Sequence, residues 1–166
     1  MARRRTPNFD ALIRHTILED GWFVQAVGGG SCDAAGCDSP DDTQPPFAYT
    51  IRLTRFRGHP EIVTFGLCPD CTTTALNIAG EAVRNELRIT DPAVLDRIFP
   101  PRTARMIEVA DSSQHLLGAN RMYRAAGGPP IPALQLVWAD DAGRFPWDDA
   151  YISDGQPLLG TPHECG

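Results

Sequence analysis

Four cysteines stand in two close pairs, Cys32-x4-Cys37 and Cys68-x2-Cys71, with 30 residues between the pairs. Short Cys-to-Cys spacings bend the backbone so that both sulfurs face one point, and two such pairs can supply the four thiolates of a tetrahedral ion. The pattern predicts a structural Zn2+ site on Cys32, Cys37, Cys68 and Cys71. An iron–sulfur cluster uses the same donors. A rival chemistry needs the second pair alone. Cys68-Pro69-Asp70-Cys71 falls at a predicted strand-to-helix junction, where a helix N-terminus favours the thiolate. That is the setting of a thiol oxidoreductase. The plain alternative is a group of unrelated thiols. Cys165 reads as a thiol of the tail, and His163 beside it as a tail residue rather than a ligand.

Weaker chemistry lies in Gly58-His59-Pro60-Glu61. An imidazole and a carboxyl two residues apart are the types that serve as general acid and base, so His59 and Glu61 are the catalytic candidates. Against this stands the plain reading, in which His59 hydrogen-bonds within a tight turn and Glu61 opens an exposed strand. His115, beside Leu116 on a predicted helix, reads as a structural histidine, and His15 as a surface one. Trp22, Tyr49, Trp138, Phe145 and Trp147 are expected mainly in the core, with a pocket for a flat ligand such as a flavin as the alternative. Gly28-Gly29-Gly30 lacks both the spacing and the lysine of a phosphate loop.

These residues need elements to position them. Phe9, Leu12, Ile13 and Ile17 recur at helical spacing, predicting a helix over 9–20 ended by Gly21. A strand is predicted over 22–27. A polar loop rich in Gly, Asp and Pro follows, over 28–46, and carries Cys32 and Cys37. A loop of that length in a compact domain is functional, tied down or disordered. Phe47, Tyr49, Ile51 and Leu53 alternate with Ala48, Thr50 and Arg52, the clearest period-two strand in the chain. After a turn over 54–60 comes a short apolar strand, 62–67, then a helix to about Leu87 whose core face is Leu76, Ala79, Val83 and Leu87. Asp91-Pro92 begins another helix, closed by Pro100-Pro101. A strand over 103–109, a helix capped by Asp111 or Ser112 and a strand over 134–138 follow. The last residues form an irregular arm packing Phe145, Trp147 and Leu158. Strands in succession without intervening helices favour an antiparallel or mixed sheet. The expectation is a single α+β domain over 9–160, its sheet open or barrel-like, with a flexible basic start over 1–8 and a tail over 161–166.

Composition sets the outer bounds. At 166 residues, 42% hydrophobic and 22% charged, the chain can build one ordinary core. Its net charge of −6 argues against a nucleic-acid partner. All 15 basic residues are arginine; codon bias in a GC-rich genome explains this more simply than selection for bidentate anion contacts. No segment reaches the length of a membrane span, and no apolar stretch follows Arg3-Arg4-Arg5 to make a secretory signal. A cytoplasmic location is expected, where clustered cysteines favour metal or redox roles over disulfides.

Several phrases together resemble one family. They are Gly21-Trp22-Phe23-Val24-Gln25-Ala26-Val27, Pro46-Phe47-Ala48-Tyr49-Thr50 with Leu53-Thr54, Gly58-His59-Pro60-Glu61, Ala133-Leu134-Gln135-Leu136-Val137-Trp138, Arg144-Phe145-Pro146-Trp147 and Gln156-Pro157-Leu158-Leu159-Gly160. Over residues 10–160 the chain is similar to the bacterial family of domain of unknown function 4262. The resemblance implies no assigned activity. The family pattern has Gly-Leu-Pro-Pro or similar where this chain has Cys68-Pro69-Asp70-Cys71, so a cysteine site would belong to a subgroup. The strand order also has a loose likeness of fold to flavin-reductase split barrels. The leading expectation is a zinc-stabilised binding or accessory protein without catalysis of its own. The alternatives are a flavin-dependent oxidoreductase of split-barrel type and a thiol oxidoreductase using the Cys-Pro-Asp-Cys motif.

Overall fold

A computed structural model describes residues 8–28, 45–67, 69–90, 92–98, 102–152 and 155–162. Helix α1 spans Phe9–Asp20. The Asn8 side chain caps its start by accepting from the Asp10 N–H, and Gly21, at φ 101°, closes its end with a hydrogen bond to the Ile17 carbonyl. Strands β1 (Phe23–Val27), β2 (Phe47–Ile51) and β3 (Glu61–Phe65) follow. Helix α2 spans Pro69–Arg84 and α3 spans Pro92–Ile98. Strand β4 (Ala104–Glu108), helix α4 (Leu117–Tyr123) and strand β5 (Ala133–Trp138) complete the set.

Among the described residues, five strands form one mixed sheet in the order β1-β2-β3-β5-β4. Only β3 and β5 run parallel; the other neighbours are antiparallel. The sheet is open, with β1 and β4 at its edges, so the barrel-like alternative is not what forms. The two central strands explain why. Every residue of β2 and β3 is buried, because helices cover both faces. Ala48 and Ile62 pack with Leu76, Ala79 and Val83 of α2 and with α3, whereas Phe47, Tyr49, Ile51, Val63 and Phe65 pack with Ile13 and Ile17 of α1 and Ala119 of α4. Successive side chains of a strand point to opposite faces, so the alternation feeds two cores.

Close approach decides one position in this packing. A Cβ on Gly80 of α2 would lie 2.4 Å from the Trp22 ring. The indole packs against the helix, with its Nε1 donating to Asn77 and the Arg84 guanidinium 4.5 Å from the ring centre. The helix ends at Arg84, and Leu87 lies beyond it, exposed, instead of on the core face the spacing predicts.

The arm after β5 is irregular and well tied. Phe145 stacks on Trp147 at 4.8 Å and packs with Val137 and Leu158, as expected. Two buried glutamines replace a missing strand pairing. Gln156 accepts from the Trp138 N–H and donates to the Trp138 carbonyl, while Gln135 donates to the Pro157 carbonyl and accepts from the Leu159 N–H. Each side-chain amide thus satisfies one backbone donor and one backbone acceptor away from water.

Candidate functional site

One end of strands β1, β2 and β3 brings together the residues that flank the cysteine-bearing segments. Val27 pairs with Phe47, and Phe47 pairs with Phe65. The Gly66 N–H donates to the Pro46 carbonyl at 2.8 Å. Gly28 and Pro45, which flank residues 29–44, therefore stand beside the approach to α2. Cys71 lies in the first turn of α2 and is exposed. Cys32, Cys37 and Cys68 lie outside the described residues, as do His163 and Cys165. Among the described residues no three His, Cys, Asp or Glu side chains come together as a metal site.

His115 belongs to the same end. It ends the 3-10 turn of Ser112–Gln114 rather than riding on a helix. Its ring meets the edges of Phe47 and Phe65 at 5.9 and 5.8 Å. Its Nδ1 is buried and has no hydrogen-bond partner among the described residues.

The opposite end of β2 and β3 holds the other candidates and separates them. His59 is half-buried, with Nδ1 2.7 Å from the Pro60 carbonyl. Burial pushes its pKa down, and the carbonyl contact partly offsets this. It lines a cavity with Arg55, Phe56, Arg57, Glu86 and Leu87. Glu61 opens β3, but it is 1% exposed, not on a solvated face, and it does not line that cavity. Its Oε2 accepts from the Thr50 hydroxyl at 2.7 Å and the Leu53 N–H at 3.2 Å; its Oε1 accepts from the Arg52 N–H at 2.8 Å. Burial raises its pKa to about 7, against the pull of these donors.

The strand expected to run to Leu53 stops at Ile51 because Arg52 adopts a left-handed backbone, φ 88°, leading into the 3-10 turn Leu53–Arg55. Such a conformation costs a residue with a Cβ about 1–2 kcal/mol. The Glu61 carboxylate holds it there by taking the two N–H groups the turn leaves free. The alternation of β2 gave no warning of this, since Arg52 falls on the polar beat of the pattern.

That turn faces a second cavity, of about 630 Å³, lined by Arg14, Ile17, Leu18, Arg52, Arg55 and Tyr123. Arg14 and Leu18 come from α1, Arg52 and Arg55 from the turn and Tyr123 from the end of α4. Sequence reasoning missed this group, because three elements far apart in the chain supply it. The aromatic candidates do not form one flat-ligand pocket. Trp22 packs on the α2 side of the sheet, Tyr49 on the α1 side, and Phe145 with Trp147 beside β4 and β5. The Tyr49 hydroxyl donates to Gln25 and accepts from the Gly118 N–H, and burial raises its pKa.

Fold and sites define an open mixed sheet covered by helices on both faces, with Cys71 and the flanks of residues 29–44 towards one end of its strands and an arginine-lined cavity towards the other. A family model described as Domain of unknown function matches residues 16–152, and the chain belongs to that family, DUF4262. No curated protein and no solved structure matches it. No helix among the described residues is long and apolar enough to cross a membrane.

Proposed function

We propose that the protein is a cytoplasmic binding or accessory protein, without catalysis of its own, in which Zn2+ on Cys32, Cys37, Cys68 and Cys71 pins the 28–46 loop to the start of α2. One observation supports this reading. The residues on both sides of 29–44 meet the approach to α2 at one end of the strands, through the Val27–Phe47–Phe65 register and the Gly66-to-Pro46 hydrogen bond. The segment that carries Cys32 and Cys37 is thus flanked by residues placed beside the approach to α2, where the sequence carries the second pair. Four thiolates suit a closed structural site, which contributes folding energy and leaves no open position for substrate.

The test is metal and thiol content, measured together on protein purified without added metal or chelator. The expected result is about one zinc per chain, with four thiols shielded until denaturation. Cys68→Ser should lose the metal and lower the melting temperature by several degrees. Unchanged metal content and melting temperature in that variant would sink the reading. A second reading rests on Cys71, exposed in the first turn of the 16-residue α2: a thiol oxidoreductase using Cys68 and Cys71. It requires catalysed disulfide exchange by metal-free protein, and absence of that activity removes it.

A further inference from the structure

The cavity between α1, the Arg52 turn and α4 has a charge pattern that fits an absent partner. Arg14, Arg52 and Arg55 surround it in a chain of net charge −6. The ion pairs among the described residues engage Arg57, Arg84, Arg102, Arg121 and Arg144, and none engages these three. Among the described residues Arg55 donates to the Ile17 carbonyl, at 3.3 Å, and lies 5.5 Å from the centre of the Phe56 ring. Arg52 lays its guanidinium over the Tyr123 ring at 4.5 Å, which fixes the plane of the fork without using its donors. The backbone is committed to this arrangement as well. Arg52 sits in a left-handed conformation that suits glycine, and a buried carboxylate, Glu61, holds it there. Strained residues of this kind point to a function for the side chain so presented.

We propose that this cavity binds a small molecule carrying a phosphate monoester. Three guanidinium groups match a dianion with three terminal oxygens better than a carboxylate, which brings a single charge on two oxygens. The carbon part of the ligand rests on Ile17 and on Leu18, which is 81% exposed. Glu61 is a positioning residue for Arg52. The proposal is independent of the zinc reading, because none of the described residues that line the cavity is a cysteine.

Calorimetric titration of the full chain tests it, with inorganic phosphate, phenyl phosphate and acetate at matched ionic strength. Inorganic phosphate binds, phenyl phosphate binds more tightly and acetate gives no signal. Arg52→Gly is the decisive variant. Glycine accepts the φ of that position, so the variant melts no lower than wild type, yet it weakens phosphate binding by about ten-fold or more, equivalent to about 1.4 kcal/mol. Leu18→Ser removes the advantage of phenyl phosphate and leaves inorganic phosphate unchanged. Wild-type binding by a folded Arg52→Gly or by the exposed double variant Arg14→Gln/Arg55→Gln overturns the proposal. So does an equal response to acetate, or capture by phosphatidic acid vesicles when neither soluble phosphate binds.

Discussion

The two ends of the central strands handle buried polar groups in opposite ways. Where β2 gives way to the Arg52 turn, each Glu61 oxygen has a donor, and Thr50 serves both sides by donating to Glu61 and accepting from the Ile62 N–H. At the other end, His115 leaves its buried Nδ1 without a partner among the described residues, against the rings of Phe47 and Phe65. The first end is closed on itself, so its carboxylate acts on the fold. The second has an unsatisfied nitrogen at the end of the strands where the flanks of residues 29–44 meet the approach to α2. A saturated network rigidifies, whereas an unsatisfied buried group marks a place where something else belongs.

The largest effect is expected at the closed end. Glu61→Ala strips the acceptor from the Thr50 hydroxyl and from two backbone N–H groups and leaves a cavity, at a cost of about 4 kcal/mol in urea denaturation. A cost under about 1 kcal/mol would show that the network is not what holds the turn. The pH axis sharpens this. With the Glu61 carboxyl raised from 4.5 to about 7 in the folded state, folding binds a proton that the unfolded chain has released. Its contribution is therefore complete below about pH 4.5, is lost as pH rises towards 7 and is flat beyond, about 3 kcal/mol in all. Subtracting the stability of Glu61→Gln from that of wild type across pH 4–8 isolates the slope from the other carboxyls. A flat difference would mean that the donors hold the carboxylate charged throughout.

A middle-sized effect is expected where the C-terminal arm meets β5. Gln156→Ala frees the Trp138 N–H and carbonyl together and should cost about 2 kcal/mol, with faster proteolysis of residues 150–162. If stability holds but the arm becomes susceptible, the arm is an appendage and not part of the cooperative unit. The smallest effect belongs to the open end. His115→Phe removes a buried nitrogen that has no described partner and keeps the ring contacts, so stability should change by no more than about 0.5 kcal/mol. A loss well above that would place a partner for Nδ1 beyond the described residues and bring His115 into the chemistry of the cysteines.

The sequence by itself determined the elements. Periodicity placed α1, β2, α2 and β5 within a few residues of their positions, because helix and strand spacing follow from local geometry. It also placed the aromatic arm and the mixed or antiparallel character of the sheet. What only the tertiary structure decided is which residues share a site. His59 and Glu61 are two apart in the chain, yet one lines a cavity and the other faces inward, because β3 starts at Glu61 and His59 lies outside it, in the preceding turn. Glu61 is buried where the end of β2 and the Arg52 turn fold around its carboxyl and bond it through Thr50, Arg52 and Leu53. Arg14, Arg52, Arg55 and Tyr123 carry no motif in common. They meet because the sheet seats α1 and α4 on one side of a turn bent by a single left-handed residue. Local spacing encodes elements, whereas a site depends on contacts between distant segments, which register and packing fix and spacing does not record.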